Sequence, residues 1–170
     1  MLALIRWSTL ASIERMADSG EPEGLDLGLL PEGVGHRYLV TRAAGQRVAI
    51  SLDDTREIIS TRALTRLPGA PAWVVGLVNV RGSVVTVVDL DARLGGPAAS
   101  GPVVIVEQGG RTFGLRVSEV EAVHLSTESP LPVDAARSAD GVVSGMVPVG
   151  NAAALVLDVG ALQRSAFAEA

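Results

Sequence analysis

Apolar residues along this chain come in short runs broken by glycine-containing turns, and seldom at helical spacing. The densest pattern lies between residues 76 and 94. Two valine-rich runs, residues 77–80 and 84–88, flank an Arg81-Gly82-Ser83 tip, the arrangement of an antiparallel hairpin. So little polar surface remains on these runs that the hairpin is expected at the middle of a domain, covered on both faces. Arg81 is the exception. A cation that stays charged at neutral pH needs water or a carboxylate beside it.

The same alternation predicts strands over residues 37–42 and 47–52 around a glycine turn, then a turn and a short strand over 53–59. Further strands are expected at 103–106, 112–117 and 120–125, and a last hairpin at 142–149 and 153–159 around Gly150-Asn151. Residues 67–71, Leu-Pro-Gly-Ala-Pro, punctuate the chain before Trp73, and 130–140 form a polar, proline-containing connection. Residues 160–168 are expected as a terminal helix. Leu10, Ile13 and Ala17 suit a weakly amphipathic helix over 6–17, and residues 18–35 form a linker. Leu27, Leu29 and Leu30 make that linker either a docking spot on the domain or part of a mobile tail. The expected division is an extension over residues 1–35 and one domain over 36–165.

An internal repeat organises the domain. At a spacing of 65 residues Tyr38-Leu39-Val40 falls on Val103-Val104-Ile105, Gly45 on Gly110, and Ile58 on Val123. At a spacing of 69 Gly76 falls on Gly145, Val78 on Val147, Val80 on Val149, and Asp89 on Asp158. Two copies of a five-strand pattern with short turns argue for two similar small barrels or rolled sheets packed together.

With 170 residues and 48% hydrophobic content the chain can bury a core unaided, and with no cysteine it has no disulfide, thiolate metal site or cysteine nucleophile. A net charge of -5 without a basic block argues against nucleic acid as a ligand. No apolar run approaches the ~20 residues of a membrane-spanning helix, and the first residues predict no secretory leader, so a cytoplasmic protein is expected. Catalytic parts are scarce. His36 and His124 stand in no metal or nucleophile motif and are expected to be structural or solvent-facing. Gly109-Gly110-Arg111 precedes no helix, which suits a hairpin turn better than a phosphate cradle. Asp89 and Asp158 could form an acid-base pair, but their shared place at the end of an apolar strand points to capping of the adjoining turn or helix. Arg81 and Glu57 are charged in the first repeat only; their counterparts are Gly150 and Ala122. This asymmetry suggests either two solvated side chains or a bridge that fixes a recognition surface.

Residues 67–82 and the run 84–90 closely resemble the signature of CheW-like domains, the coupling proteins of bacterial chemotaxis. The resemblance extends from about residue 38 to 162, through Glu57-Ile58, the 109–115 hairpin and Leu155-Val156-Leu157-Asp158. It implies a mainly β fold of two SH3-like five-stranded barrels packed around a shared apolar core, with short peripheral helices. It also implies no enzymatic activity, no cofactor and no metal. The implied partners are the cytoplasmic tip of a chemoreceptor and the regulatory domain of a histidine kinase, at the inner face of the membrane without insertion into it. Glu57 and Arg81 would form a bridge near the receptor contact, with Ile58, Val78 and Val80 as walls of an apolar groove. Three features depart from the pattern. Thr86 stands where the family's run has proline, the leading 35 residues exceed what a minimal coupling protein needs, and Pro148 interrupts a strand, which places that strand at an edge or bulge. The alternatives are an adaptor of a pilus-motility chemosensory system and, from another class, a small β-barrel enzyme or ligand-binding protein with its site between the barrels.

Overall fold

A computed structural model describes residues 35–60, 63–134 and 138–168, together with the backbone of residues 5 and 6. The expected helix over 6–17 and the linker over 18–35 lie outside the described residues, apart from Gly35 and from Arg6, which belongs to a two-residue strand, β1 (Ile5–Arg6). The repeat then sets the element order. Its first copy supplies β2 (His36–Ala43), β3 (Gln46–Ser51), β4 (Thr55–Ile59), β5 (Val74–Val80), β6 (Ser83–Asp89) and the short helix α1 (Leu90–Arg93). The second supplies β7 (Val103–Gln108), β8 (Arg111–Arg116), β9 (Glu119–Ser126), β10 (Val143–Val149), β11 (Ala152–Leu157) and α2 (Val159–Phe167).

The expected two rolled five-stranded sheets form around a shared core, one of them extended by β1, but neither is built from a single copy of the repeat: the copies exchange strands. The first sheet runs β1-β9-β2-β3-β11-β10 and the second β4-β7-β8-β6-β5. Moving every strand of the second sheet to its counterpart in the other copy reproduces the order β9-β2-β3-β11-β10. The repeat is thus a twofold exchange in which β2–β3 pairs with strands of the second copy and β7–β8 with strands of the first. The parallel pairings β11 with β3 and β6 with β8 are the joints of that exchange.

Packing follows the same symmetry. One cluster is built from both sheets, with Leu39, Ile50, Phe113, Leu115, Leu157 and Leu162 among its buried members. Each sheet then rolls over a smaller cluster of its own, around Tyr38, Val40, Val147 and Val149 in the first and Ile59, Val78, Val80 and Ile105 in the second. Two glycines at equivalent positions allow close approach of the connections that lie over β5 and β10. A Cβ on Gly76 would stand 2.4 Å from the Thr65 carbonyl oxygen, and one on Gly145 2.8 Å from that of Leu131. Thr65 and Leu131 make single bridges to Leu77 and Met146, covering part of each outer edge.

The hairpin at 76–94 departs from expectation. β5 is the outer strand of its sheet and alternates buried positions with half-buried or exposed ones, and Val84 of β6 is 69% exposed. Valine content reported strand propensity there, not burial on both faces. Pro148 lies in β10, the outer strand of the first sheet, which carries a register shift between Val143 and Gly145, so the missing N–H costs no ladder bond to a further strand. Asp89 and Asp158 are both helix caps, accepting from the N–H groups of Ala92 and Ala161.

Candidate functional site

Arg81 and Gly82 form a two-residue turn between β5 and β6, with φ of 51° and 85°. Positive φ at both positions matches the twist of the flanking strands. For arginine it is a conformation that L side chains seldom adopt. The Asn79 side-chain oxygen accepts from the Gly82 N–H at 3.0 Å and fixes the turn. Across from it, β4 carries a register shift between Thr55 and Glu57, a bulge of the kind that re-aims side chains. The result is an ion pair of 3.3 Å between Arg81 Nη2 and Glu57 Oε2, joining the outer strand β4 to the turn at the opposite edge of the same sheet.

This pair is open to water, with Arg81 65% and Glu57 30% exposed, and a pair so placed is worth about 0 to 1 kcal/mol. Its value is positional. It stands over a cleft of about 490 Å³ lined by Arg56, Glu57, Arg81 and Arg111, with Val80, Val84, Val85 and Ile105 as the apolar floor and rim. Ile58, Val78 and Val80, expected together as walls of one groove, are separated by the roll of the sheet. Ile58 packs on the core shared by both sheets, whereas Val78 and Val80 are buried in the second sheet's own cluster, and of the three only Val80 lines the cleft. Sequence reasoning missed Val84, Arg56 and Arg111. A valine beside a charged tip was visible in the sequence, but its exposure and the convergence of these turns and strands were not.

Two further polar groups were also missed. Arg116 donates from Nε and Nη2 to Oδ2 of Asp89, which is wholly buried and also accepts from the Ala99 N–H. Asp91, buried in α1, accepts at Oδ1 from the Ala44 N–H and the Ser118 hydroxyl, tying the helix to the β2–β3 turn and to the β8–β9 turn. His124 is buried in β9, and burial pushes its pKa down from the ordinary value, partly offset by the Pro148 carbonyl. No group of three His, Cys, Asp or Glu side chains that could hold a metal occurs among the described residues. No helix among them is long and apolar enough to cross a membrane.

A duplicated, strand-exchanged pair of rolled five-stranded sheets, one of them extended by β1, defines the class of protein. The profile of the CheW-like domain matches residues 37–167, and the chain belongs to that family. The chemotaxis protein CheW of Rhizobium meliloti (strain 1021) is 33% identical over 93 residues, covering 52% of this chain and 60% of that protein. CheW of Klebsiella aerogenes is 25% identical over 138 residues, covering 77% of this chain and 83% of that one. The fold also matches the crystal structure of the scaffolding protein TtCheW from Thermoanaerobacter tengcongensis, with a TM-score of 0.67 and 24% identity, over 73% of this chain and 84% of that one. The chain spans somewhat less than two thirds of the Rhizobium relatives it matches, 60% of one and 64% of the probable CheW of Rhizobium etli.

Proposed function

We propose that this chain is a non-catalytic chemosensory adaptor that holds the cytoplasmic tip of a chemoreceptor and the regulatory domain of a histidine kinase in a fixed geometry at the inner face of the membrane. The observation that carries this reading is the asymmetry of two otherwise equivalent sheets. One has a charged, strained turn over an open cleft, and the other has a proline-bearing outer strand beside partly exposed Met146 and Leu155. Two unlike faces on one rigid scaffold suit two unlike partners.

In this reading the receptor tip docks at the Glu57–Arg81 cleft and the kinase domain covers the β10 edge. Glu57 and Arg81 are the partner-binding residues on the receptor side, with Val80 and Val84 as the apolar contact. Val78 supports that surface from beneath, and Ile58, next to Glu57 on β4, anchors the strand on the shared core. Each contact is small, and avidity in an array of many copies supplies the overall strength. The test is capture of the full chain by an immobilised receptor cytoplasmic fragment and, separately, by the kinase regulatory domain. Binding to both is expected. Binding to neither contradicts the reading.

A further inference from the structure

The repeat gives the cleft beside Arg81 an internal control, because every residue lining it has a counterpart in the first sheet. There Glu121 stands for Arg56, Ala122 for Glu57, Gly150 for Arg81, Ala153 for Val84, Gln46 for Arg111 and Arg47 for Thr112. The second-sheet cleft therefore carries three guanidinium groups against one carboxylate, and its counterpart carries one of each. In a chain of net charge -5 this is a local reversal of sign.

The three cations are not equivalent. Arg56 is paired with Glu107 at 3.1 Å and Arg81 with Glu57 at 3.3 Å. Arg111 has no carboxylate partner among the described residues. Its guanidinium carbon lies 5.0 Å from the ring centroid of Phe167, a contact that orients the group without neutralising it. On the neighbouring strand β6, Val84 lines the same cleft and presents an apolar side chain to water. An oriented, unneutralised guanidinium and an exposed valine lining one cleft are complementary to a carboxylate adjoining an apolar side chain.

We infer that this cleft accepts a partner segment in which an apolar side chain adjoins an acidic one, the apolar group lying on Val84 and the carboxylate bonding to Arg111. The inference deepens the receptor-side assignment and rests on it only for which protein brings the segment. A nucleic acid is disfavoured, because its charge would meet Glu57 and the acidic remainder of the chain.

The test uses the full isotope-labelled chain and two short capped peptides, Gly-Glu-Leu-Val-Glu-Gly and its Gln-for-Glu counterpart, at millimolar concentration. Chemical-shift changes are expected at Val84, Gly110 and Arg111, with the Glu peptide bound about tenfold more tightly, the difference one charge-assisted hydrogen bond supplies. Arg111→Gln should bring the two peptides within twofold of each other, Arg111→Lys should keep most of the preference, and both should stay folded, unfolding within a few degrees of wild type because only the contact with the Phe167 ring is weakened. Equal binding of the two peptides, a preference that survives Arg111→Gln, shifts centred elsewhere, or no binding of either peptide would overturn the inference. Failure of the receptor fragment to capture the chain would instead count against the adaptor reading, so the two failures are distinguishable.

Discussion

The two sheets of this protein are built on one strand order and differ in what their equivalent positions carry. Position by position, the second sheet has Arg81 where the first has Gly150, Glu57 where it has Ala122, Arg111 where it has Gln46, and Ile59 where it has His124. The differences lie at turns, edges and seams, whereas most core positions keep their apolar character. In a duplicated scaffold, packing holds the interior of both copies to the same requirement, and the rims are free to diverge. The rim is accordingly where a binding function should be sought.

The largest expected effect separates the two caps. Asp89 and Asp158 occupy the same place in the repeat and both accept from a helix N–H. Only Asp89 is wholly buried and bound twice by Arg116. Asp89→Ala leaves a largely buried guanidinium without its partner and should cost about 3 to 5 kcal/mol, against about 1 kcal/mol for Asp158→Ala, which loses a cap alone. Urea titrations of the two variants measure the difference. Equal losses would mean that the repeat, and not the Arg116 contact, decides the energetics.

A middle-sized effect separates the seams. In the first sheet His124 faces the Pro148 carbonyl from inside, and in the second Ile59 fills the corresponding place. The lowered pKa of His124 means that the unfolded chain binds a proton more readily than the folded one. Stability contributed by the neutral imidazole is therefore present above the unfolded value near 6.5, and declines as pH falls below it toward the folded pKa. The slope over that window should be at most about 1.4 kcal/mol per pH unit. His124→Leu should flatten it, and Ile59→His should add a similar slope in the second sheet. Unfolding curves across that window check both.

The smallest effect is the Glu57–Arg81 pair itself. A double-mutant cycle with Glu57→Gln and Arg81→Gln should give a coupling below about 1 kcal/mol in stability, because both groups remain in contact with water. A coupling of several kcal/mol would show that the pair locks the sheet instead of shaping its surface.

Much of this was legible in the sequence. The five-strand repeat placed the hairpins, the capping aspartates and the edge character of the Pro148 strand, because turn residues and strand alternation are local signals. The exchange of strands between copies was not legible. Equal repeats predict equal sheets whether or not they swap partners, and the parallel joints β3–β11 and β6–β8 are long-range pairings with no local signature. The ion pair of Glu57 and Arg81 could be suspected from their shared asymmetry. Arg111 and Val84 could not be assigned to the same cleft, since that depends on how the second sheet rolls. The Asp89–Arg116 pair was hidden for the same reason: burial of a charged pair is decided by tertiary closure, not by its neighbours in sequence.

The central claim is that the charged rim of the second sheet serves one partner and not the other. It is tested most directly by measuring the affinity of Arg81→Glu for the receptor cytoplasmic fragment and for the kinase regulatory domain, with unfolding temperature as a control. The account predicts at least a tenfold loss for the receptor fragment, the kinase domain held within about twofold, and an unchanged unfolding temperature. Wild-type affinity for the receptor fragment, or an equal loss for both partners, would contradict it.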